Sequence, residues 1–215
     1  MAVYDLEEQE QISQLKAWWE QYGKYVTTIL VVAALASVGW QSYRWYQDKQ
    51  AAEAGALFQA MQTAAEGGDV ARTREQAGQL IERFPGTVYA GYAALVSADV
   101  QFASGDARNA RAHLDWLASQ GKDAMLRDMA RLRIATILLE EGQHAEALAQ
   151  LSVPSVPSLR ARFEALKGDI LLADDKPAQA REAYQAALAA LAASGAGVGD
   201  ALYNVIAVKA ESLEG

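Results

Sequence analysis

The chain has 215 residues, 19 Lys and Arg against 27 Asp and Glu, a net charge of −8 and no cysteine. Missing cysteine excludes disulfides, thiolate zinc sites and thiol catalysis, and suits an oxidising compartment where stray thiols are a liability. The acidic balance argues against a nucleic-acid partner, which needs clustered Lys and Arg; the residues after Lys49 are acidic too, with 21 acids and 15 bases.

Residues 5–22 read as an amphipathic helix. Ile12, Leu15, Trp19 and Tyr22 recur at three- and four-residue steps, with Glu7, Glu8, Gln11, Gln14 and Lys16 opposite. The pattern suits a helix lying on lipid headgroups or docking a membrane partner, and Gly23 is expected to break it from the apolar stretch beyond. Tyr25 to Tyr43 carries no charge. At about 1.5 Å per residue it makes a helix of roughly 28 Å, close to the thickness of a bilayer's hydrocarbon core. Trp18, Trp19, Tyr22 and Tyr25 crowd one end, and Trp40, Tyr43, Trp45 and Tyr46 the other, the belt expected where a helix leaves lipid. Lys24 and Arg44 sit at the two ends, able to reach water. Expected domains are thus a tail over 1–24, a transmembrane helix over 25–43 and a soluble body over 44–215.

A cleaved leader is the rival reading, since Ala34-Leu35-Ala36 precedes Ser37 as a small-residue cleavage site would. Against it stand a long acidic leader, an apolar run that continues through Val38 and Trp40, and the aromatics beyond. Cleavage would release a soluble scaffold or regulator of envelope assembly. The flanks do not orient the span: Lys16 and Lys24 on one side balance Arg44 and Lys49 on the other. Ala33 and Ser37 have the small-xxx-small spacing that lets two membrane helices approach. With Trp19 and Trp40 they are the candidate contacts with a membrane partner.

From Gln47 onward the chain reads as short helices separated by Gly and Pro breaks, without strand alternation. Ala77, Ala110, Ala147 and Ala180 align as a repeat, at separations of 33, 37 and 33. Twelve residues before them lie Ala65, Ala98, Ala135 and Gly168; four after lie Ile81, Leu114, Leu151 and Tyr184. Small residues would let two helices of a unit approach while the bulky ones fill the seam. Gly105 and Gly142 sit in the turns, but the unit around Ala77 has no glycine at that place. The pattern resembles the tetratricopeptide repeat, a helix–turn–helix of about 34 residues that stacks into a solenoid. The fold class is therefore all-α: an N-terminal transmembrane helix followed by a tetratricopeptide-like helical solenoid. The helix over 200–213 is expected to cap it, with Leu202, Val205, Ile206, the Lys209 stem and Leu213 on one apolar face. A generic helical solenoid is the alternative.

The tail (Glu8-Gln9, Leu15-Lys16-Ala17-Trp18-Trp19-Glu20, Gly23), the single span, and the repeats with Tyr89-Ala90 and Leu114-Asp115-Trp116-Leu117 together resemble the YfgM-type ancillary subunits of the bacterial Sec translocon. The resemblance covers most of the chain. It implies an inner-membrane protein with a cytoplasmic N-terminus and periplasmic repeats. It also implies association with the Sec translocon and with a membrane-anchored periplasmic chaperone of the prolyl-isomerase type.

No residues suggest an enzyme, a cofactor or a metal. His113 and His144 lie in different repeats, and Asp174-Asp175 lacks the alternating ligands of a calcium loop. Gly67-Gly68-Asp69 and the glycines from 195 to 199 follow no strand. Ser152, Ser155 and Ser158 share a loop with no base. The expected functional surface is the inner face of the solenoid, which would suit unfolded secretory chains or another extended peptide. Its candidate residues are Tyr92, Asp99, Phe102, Met129, Thr136, Arg162 and Asp169. Leu95, Leu139 and Leu172 share that register and read equally well as core.

Overall fold

The computed structural model of the chain describes residues 2–195 and 197–213, with side chains from Glu10 onward. The described residues form helices and turns with no strand. The helices are α1 (Ala2–Glu66), α2 (Val70–Arg83), α3 (Val88–Ala103), α4 (Ala107–Gln120), α5 (Ala124–Glu140), α6 (His144–Gln150), α7 (Arg160–Ala173), α8 (Pro177–Ala193) and α9 (Ala201–Glu211). Two compact units result, Met1–Gln50 and Ala51–Gly215. The resemblance residues Glu8 and Gln9 lie outside the described side chains, and Ala196 outside the described residues.

In the first unit α1 passes through Gly23 without the expected break. A lone glycine costs a helix only about 1 kcal/mol relative to alanine, and no proline reinforces it. The Trp19 indole lies so close over Gly23 that a Cβ there would be 3.1 Å from the ring. Thr27 and Thr28 hydroxyls donate back to the Gly23 and Lys24 carbonyls. Every residue from Thr27 to Lys49 is exposed.

The second unit is a stack of helix pairs, and its turns correct the register of the repeat. Gly68, Gly105, Gly142 and Asp175 all have positive φ, between 56° and 87°, a conformation open to Gly and tolerated by Asp. The N–H following each donates to a carbonyl of the preceding helix: Asp69 to Ala64, Asp106 to Gln101, Gln143 to Leu138 and Lys176 to Leu171, at 2.8–2.9 Å. The N–H of each positive-φ residue donates to the carbonyl three back. This double bond is the Schellman closure of a helix, repeated four times. Counted from it, the small anchor of the first repeat is Thr73, not Ala77. The anchors Thr73, Ala110, Ala147 and Ala180 are spaced 37, 37 and 33 residues, and all four are fully buried.

The corrected register explains the packing. Ala98, Ala135 and Gly168 on the first helices are buried, as are Leu114 and Tyr184 on the second. At Gly168 the approach is closest, and a Cβ would lie 2.5 Å from the Tyr184 ring. In the first repeat bulk and space change sides: Met61 stands where the others have Ala or Gly, and Ala77 where they have Leu or Tyr. Both are fully buried in one cluster with Leu80 and Phe84.

The third unit has the shortest second helix, α6, followed by a loop with Pro154 and Pro157, which cannot continue a helix. Asp128 and Arg131 of α5 hold that loop. The fully buried Asp128 carboxylate accepts from Arg131 Nη1 at 3.1 Å and from the Val156 N–H at 2.9 Å. Arg131 donates onward to the carbonyls of Gln150 and Ser152, at 3.0 and 3.2 Å, and to the Ser152 hydroxyl. Its guanidinium also lies 5.2 Å from the Phe163 ring centre. Backbone groups that a longer α6 would pair internally are paired here by one buried ion pair.

Helix α9 does not carry the single apolar face expected. Ile206 and Ala210 are buried and Leu202 and Leu213 half-buried, but Val205 is exposed.

Candidate functional site

The first helices of the units form one wall. α3 packs on α5 and α5 on α7, in addition to their neighbours in sequence, and these first helices approach one another more closely than the second helices do. Tyr92, Met129 and Arg162 each lie eighteen residues before the anchor of their unit, and Asp99, Thr136 and Asp169 eleven before.

Asp99, Phe102 and Thr136 meet. With Ala98, Leu114, Arg133 and Ile137 they line a cleft of about 130 Å³ between α3 and α5. Asp99 and Arg133 form an ion pair across it. Burial pushes the Asp99 carboxyl above its usual range, against the pull of the Arg133 guanidinium. Arg133 was not singled out from the sequence; its signal was a cation three positions from Thr136 on the same face.

The other predicted residues do not join this cleft. Tyr92 is exposed, with its ring 6.4 Å from that of Phe58. Tyr89 stands 5.7 Å from the same ring, in space that Gly55 leaves open. Met129 is half-buried against the central core. Arg162 is exposed and makes no ion pair among the described residues. Asp169 is committed to structure: it accepts from the Tyr184 hydroxyl at 2.6 Å and from Lys209 Nζ at 2.7 Å. Burial first, and then this bond, hold the Tyr184 phenol well above its ordinary pKa. Leu95 is core, Leu139 is half-buried on the core, and Leu172 is exposed.

A larger cleft of about 290 Å³, unforeseen in the sequence, opens at the turns between units. It is lined by Pro85, Val88, Gly91, Trp116, Lys122 and Leu126 among others. Its residues are far apart in sequence and no single repeat signals it.

The histidines serve packing. His113 Nδ1 lies 3.1 Å from Ser97 Oγ and 3.4 Å from Gln101 Nε2. Burial, and then the nearby Arg74 charge, hold His113 below its ordinary pKa. His144 Nδ1 is 3.3 Å from Asp174, which Lys176 Nζ also reaches at 2.7 Å. These two bonds, that of Lys176 first, lower the Asp174 pKa. Among the described residues no three His, Asp or Glu side chains gather as a metal site.

In the first unit, Ala33, Ser37 and Trp40 are all exposed, as is Trp19 where it covers Gly23. Exposed with them are Ile29, Leu30, Val31, Val32, Leu35 and Val38. Part of α1 is long and apolar enough to cross a membrane.

The model of the tetratricopeptide repeat-like domain matches residues 16–215. The chain belongs to this family. Curated relatives of the tetratricopeptide repeat-like chain are similar over most of both lengths. The "Ancillary SecYEG translocon subunit" of Neisseria gonorrhoeae is 28% identical over 85% of this chain and 88% of its own. The protein of that name from Haemophilus influenzae is 27% identical over 86% and 90%. That of Aggregatibacter actinomycetemcomitans is 28% identical over 86% and 90%. These relatives support the YfgM-type resemblance carried by the tail, the apolar stretch and the repeats.

Proposed function

We propose that this is a single-span inner-membrane protein, an ancillary, non-enzymatic subunit of the Sec translocon. Its tail is cytoplasmic and its repeat domain periplasmic. The repeat wall holds a membrane-anchored prolyl-isomerase-type chaperone beside the translocation exit and touches emerging unfolded chains.

The observation that carries the reading is the uncovered apolar length of α1. Leaving Ile29, Leu30, Val31, Val32, Leu35 and Val38 in water forfeits about 2 kcal/mol each, or about 12 kcal/mol together. That is comparable with the whole stability of a domain, so lipid or a partner covers them. The apolar run also continues past Ala36 through Val38 and Trp40, which favours a retained anchor over the cleaved, soluble scaffold. Names of the relatives supply the translocon; the wall, with its Asp99–Arg133 cleft and exposed Tyr92 and Arg162, supplies a surface for peptide. Tethering raises local concentration at the exit without tight binding.

Photo-crosslinkers placed one at a time from Trp40 to Tyr46 in native membranes test it. The expected products contain translocon or chaperone subunits. Recovery of lipid and unrelated proteins alone would refute the proposal, and loss of residues 1–36 from the intact mass would replace it with the cleaved scaffold.

A further inference from the structure

Gln101 breaks the pattern of its neighbours. It lies four residues before Gly105, and its carbonyl accepts the closing N–H of α3 from Asp106. The residues at that place in the other repeats are Ala64, Leu138 and Leu171, all apolar and buried. Gln101 is fully buried as well, yet its side-chain oxygen Oε1 has no hydrogen-bond partner among the described residues. A buried acceptor without a donor destabilises a fold, and the leucine of the next two repeats would remove that cost.

What Gln101 meets is His113 of α4. Gln101 Nε2 donates to the Ser97 carbonyl at 3.1 Å and to Ser97 Oγ at 2.9 Å, and lies 3.4 Å from His113 Nδ1. Ser97 Oγ is 3.1 Å from the same ring nitrogen. The Ser97 carbonyl only accepts, which sets the amide with Nε2 toward it. Nε2 only donates, so the nitrogen it faces is the unprotonated one of a neutral ring. Ser97 Oγ then accepts from Gln101 and donates to His113, and both Nε2 hydrogens and the hydroxyl are used. Arg74 of α2 is the charge acting on His113, and it lies 3.8 Å from Asp106 at the N-cap of α4. α3 presents the uncharged Ser97 and Gln101 to the ring, and no charged group of α5 acts on it among the described residues.

A proton taken from water onto Nδ1 breaks this chain. Two donors, Nε2 and Nδ1, then face each other across 3.4 Å, and the Ser97 hydroxyl loses its acceptor. The idle acceptor of the cluster, Gln101 Oε1, sits on the same amide as Nε2. We propose that Ser97, Gln101 and His113 form a two-position proton switch in the seam between α3 and α4. With His113 neutral, the Gln101 amide is tied to Ser97 within α3. With His113 protonated, it turns so that Oε1 accepts from Nδ1 across to α4, and the seam stays closed in acid. The turn exchanges neutral bonds for one charge-assisted bond, about twice as strong as each. Ala98, Phe102 and Leu114 each follow a member of the cluster in sequence and line the Asp99–Arg133 cleft, so a closed seam preserves the cleft as well. Burial, and then Arg74, oppose the proton and set the switch on the acid side of the ring's ordinary range.

The test is an NMR titration of the full chain in detergent micelles, labelled at Cε1 of its two histidines and at the glutamine side-chain nitrogens. His144→Gln assigns the histidine signals. In the wild type the Gln101 amide signal is expected to move with the same midpoint as His113, and to stay in place in His113→Gln. Gln101→Leu is expected to weaken proton binding by His113 about tenfold, the scale of losing one hydrogen bond to a charged group, while raising the melting temperature at neutral pH. Gln101→Met, closer in shape to Gln and equally without an acceptor, gives the same readout if Leu packs badly. If Gln101 served only as a donor to the neutral ring, its loss would ease protonation and raise the midpoint. A raised midpoint, or one within about twofold of wild type in proton affinity, overturns the switch. So does a Gln101 amide signal indifferent to His113, or a His113 that stays neutral until the domain unfolds.

Discussion

Ile29 and Ile134 are the same residue in two surroundings. Ile29, in the uncharged stretch of α1, is 67% exposed, and Ile134, in α5, is 1% exposed. Trp40 and Tyr184 differ in the same way, one 66% exposed and the other fully buried. The repeat domain covers its large side chains by pairing each with a small one on the facing helix. The apolar stretch has small residues as well, Ala33, Ala34, Ala36 and Gly39, but no described helix packs on them. Small and large residues thus make a closed core in one region and an uncovered apolar surface in the other. What separates them is both the turns that fold the repeat helices back on one another and the absence of charge from Tyr25 to Tyr43.

This comparison breaks first at the two places where each region depends on one residue. Asp128→Ala leaves Arg131 without its buried partner and the Val156 N–H without an acceptor. It should cost about 3 kcal/mol, read as a lower urea midpoint; a shift below about 0.5 kcal/mol would show that the loop needs no staple. Leu35→Arg should cost about 3 kcal/mol of membrane insertion, so that the protein becomes extractable by alkaline carbonate. It should leave the unfolding of the repeat domain within about 0.5 kcal/mol of wild type. Destabilised repeats would show that the stretch is core after all.

A smaller effect sharpens the pairing rule. Gly168→Ala forces a methyl group into the Tyr184 ring and should cost about 2 kcal/mol. Adding Tyr184→Leu recreates the Ala–Leu pair seen at Ala98 and Leu114. The double variant should be more stable than the sum of the single losses allows, although it forgoes the bond to Asp169. Strict additivity in thermal melts would contradict paired volumes.

The smallest effect is one of pH. Folding holds the His113 pKa below its ordinary value of 6.5, so the unfolded chain binds the proton more readily. The contribution of neutral His113 is fully present above pH 6.5 and is lost as pH falls through the lowered folded-state pKa. His113→Gln should reduce the fall in melting temperature between pH 7 and pH 5. An unchanged pH profile would place the acid sensitivity elsewhere.

Much of this was legible in the sequence because small and large residues recur at fixed offsets. Ala98, Ala135, Gly168, Leu114 and Tyr184 sit in their expected roles. The first unit misled because Ala77 looks like an anchor, whereas the turn at Gly68 makes Thr73 the anchor and Ala77 the partner of Met61. Gly23 looked like a break, but a lone glycine with no proline beside it costs too little to make one. The Asp128–Arg131 staple was hidden because its other partners are backbone groups of the loop. Asp169 looked free on the wall because its partners, Tyr184 and Lys209, lie fifteen and forty residues later on other helices. Of the candidate site, the cluster of Asp99, Phe102 and Thr136 was readable from register alone; the cleft at the turns was not, since it needs residues from several turns at once.

The central claim is that α1 anchors the chain in a bilayer and presents the repeat domain on the periplasmic side. The most direct measurement is protease digestion of the protein in intact spheroplasts, compared with broken ones. The account predicts that the repeat domain is degraded while the membrane is intact. A repeat domain protected until the membrane is broken would contradict it.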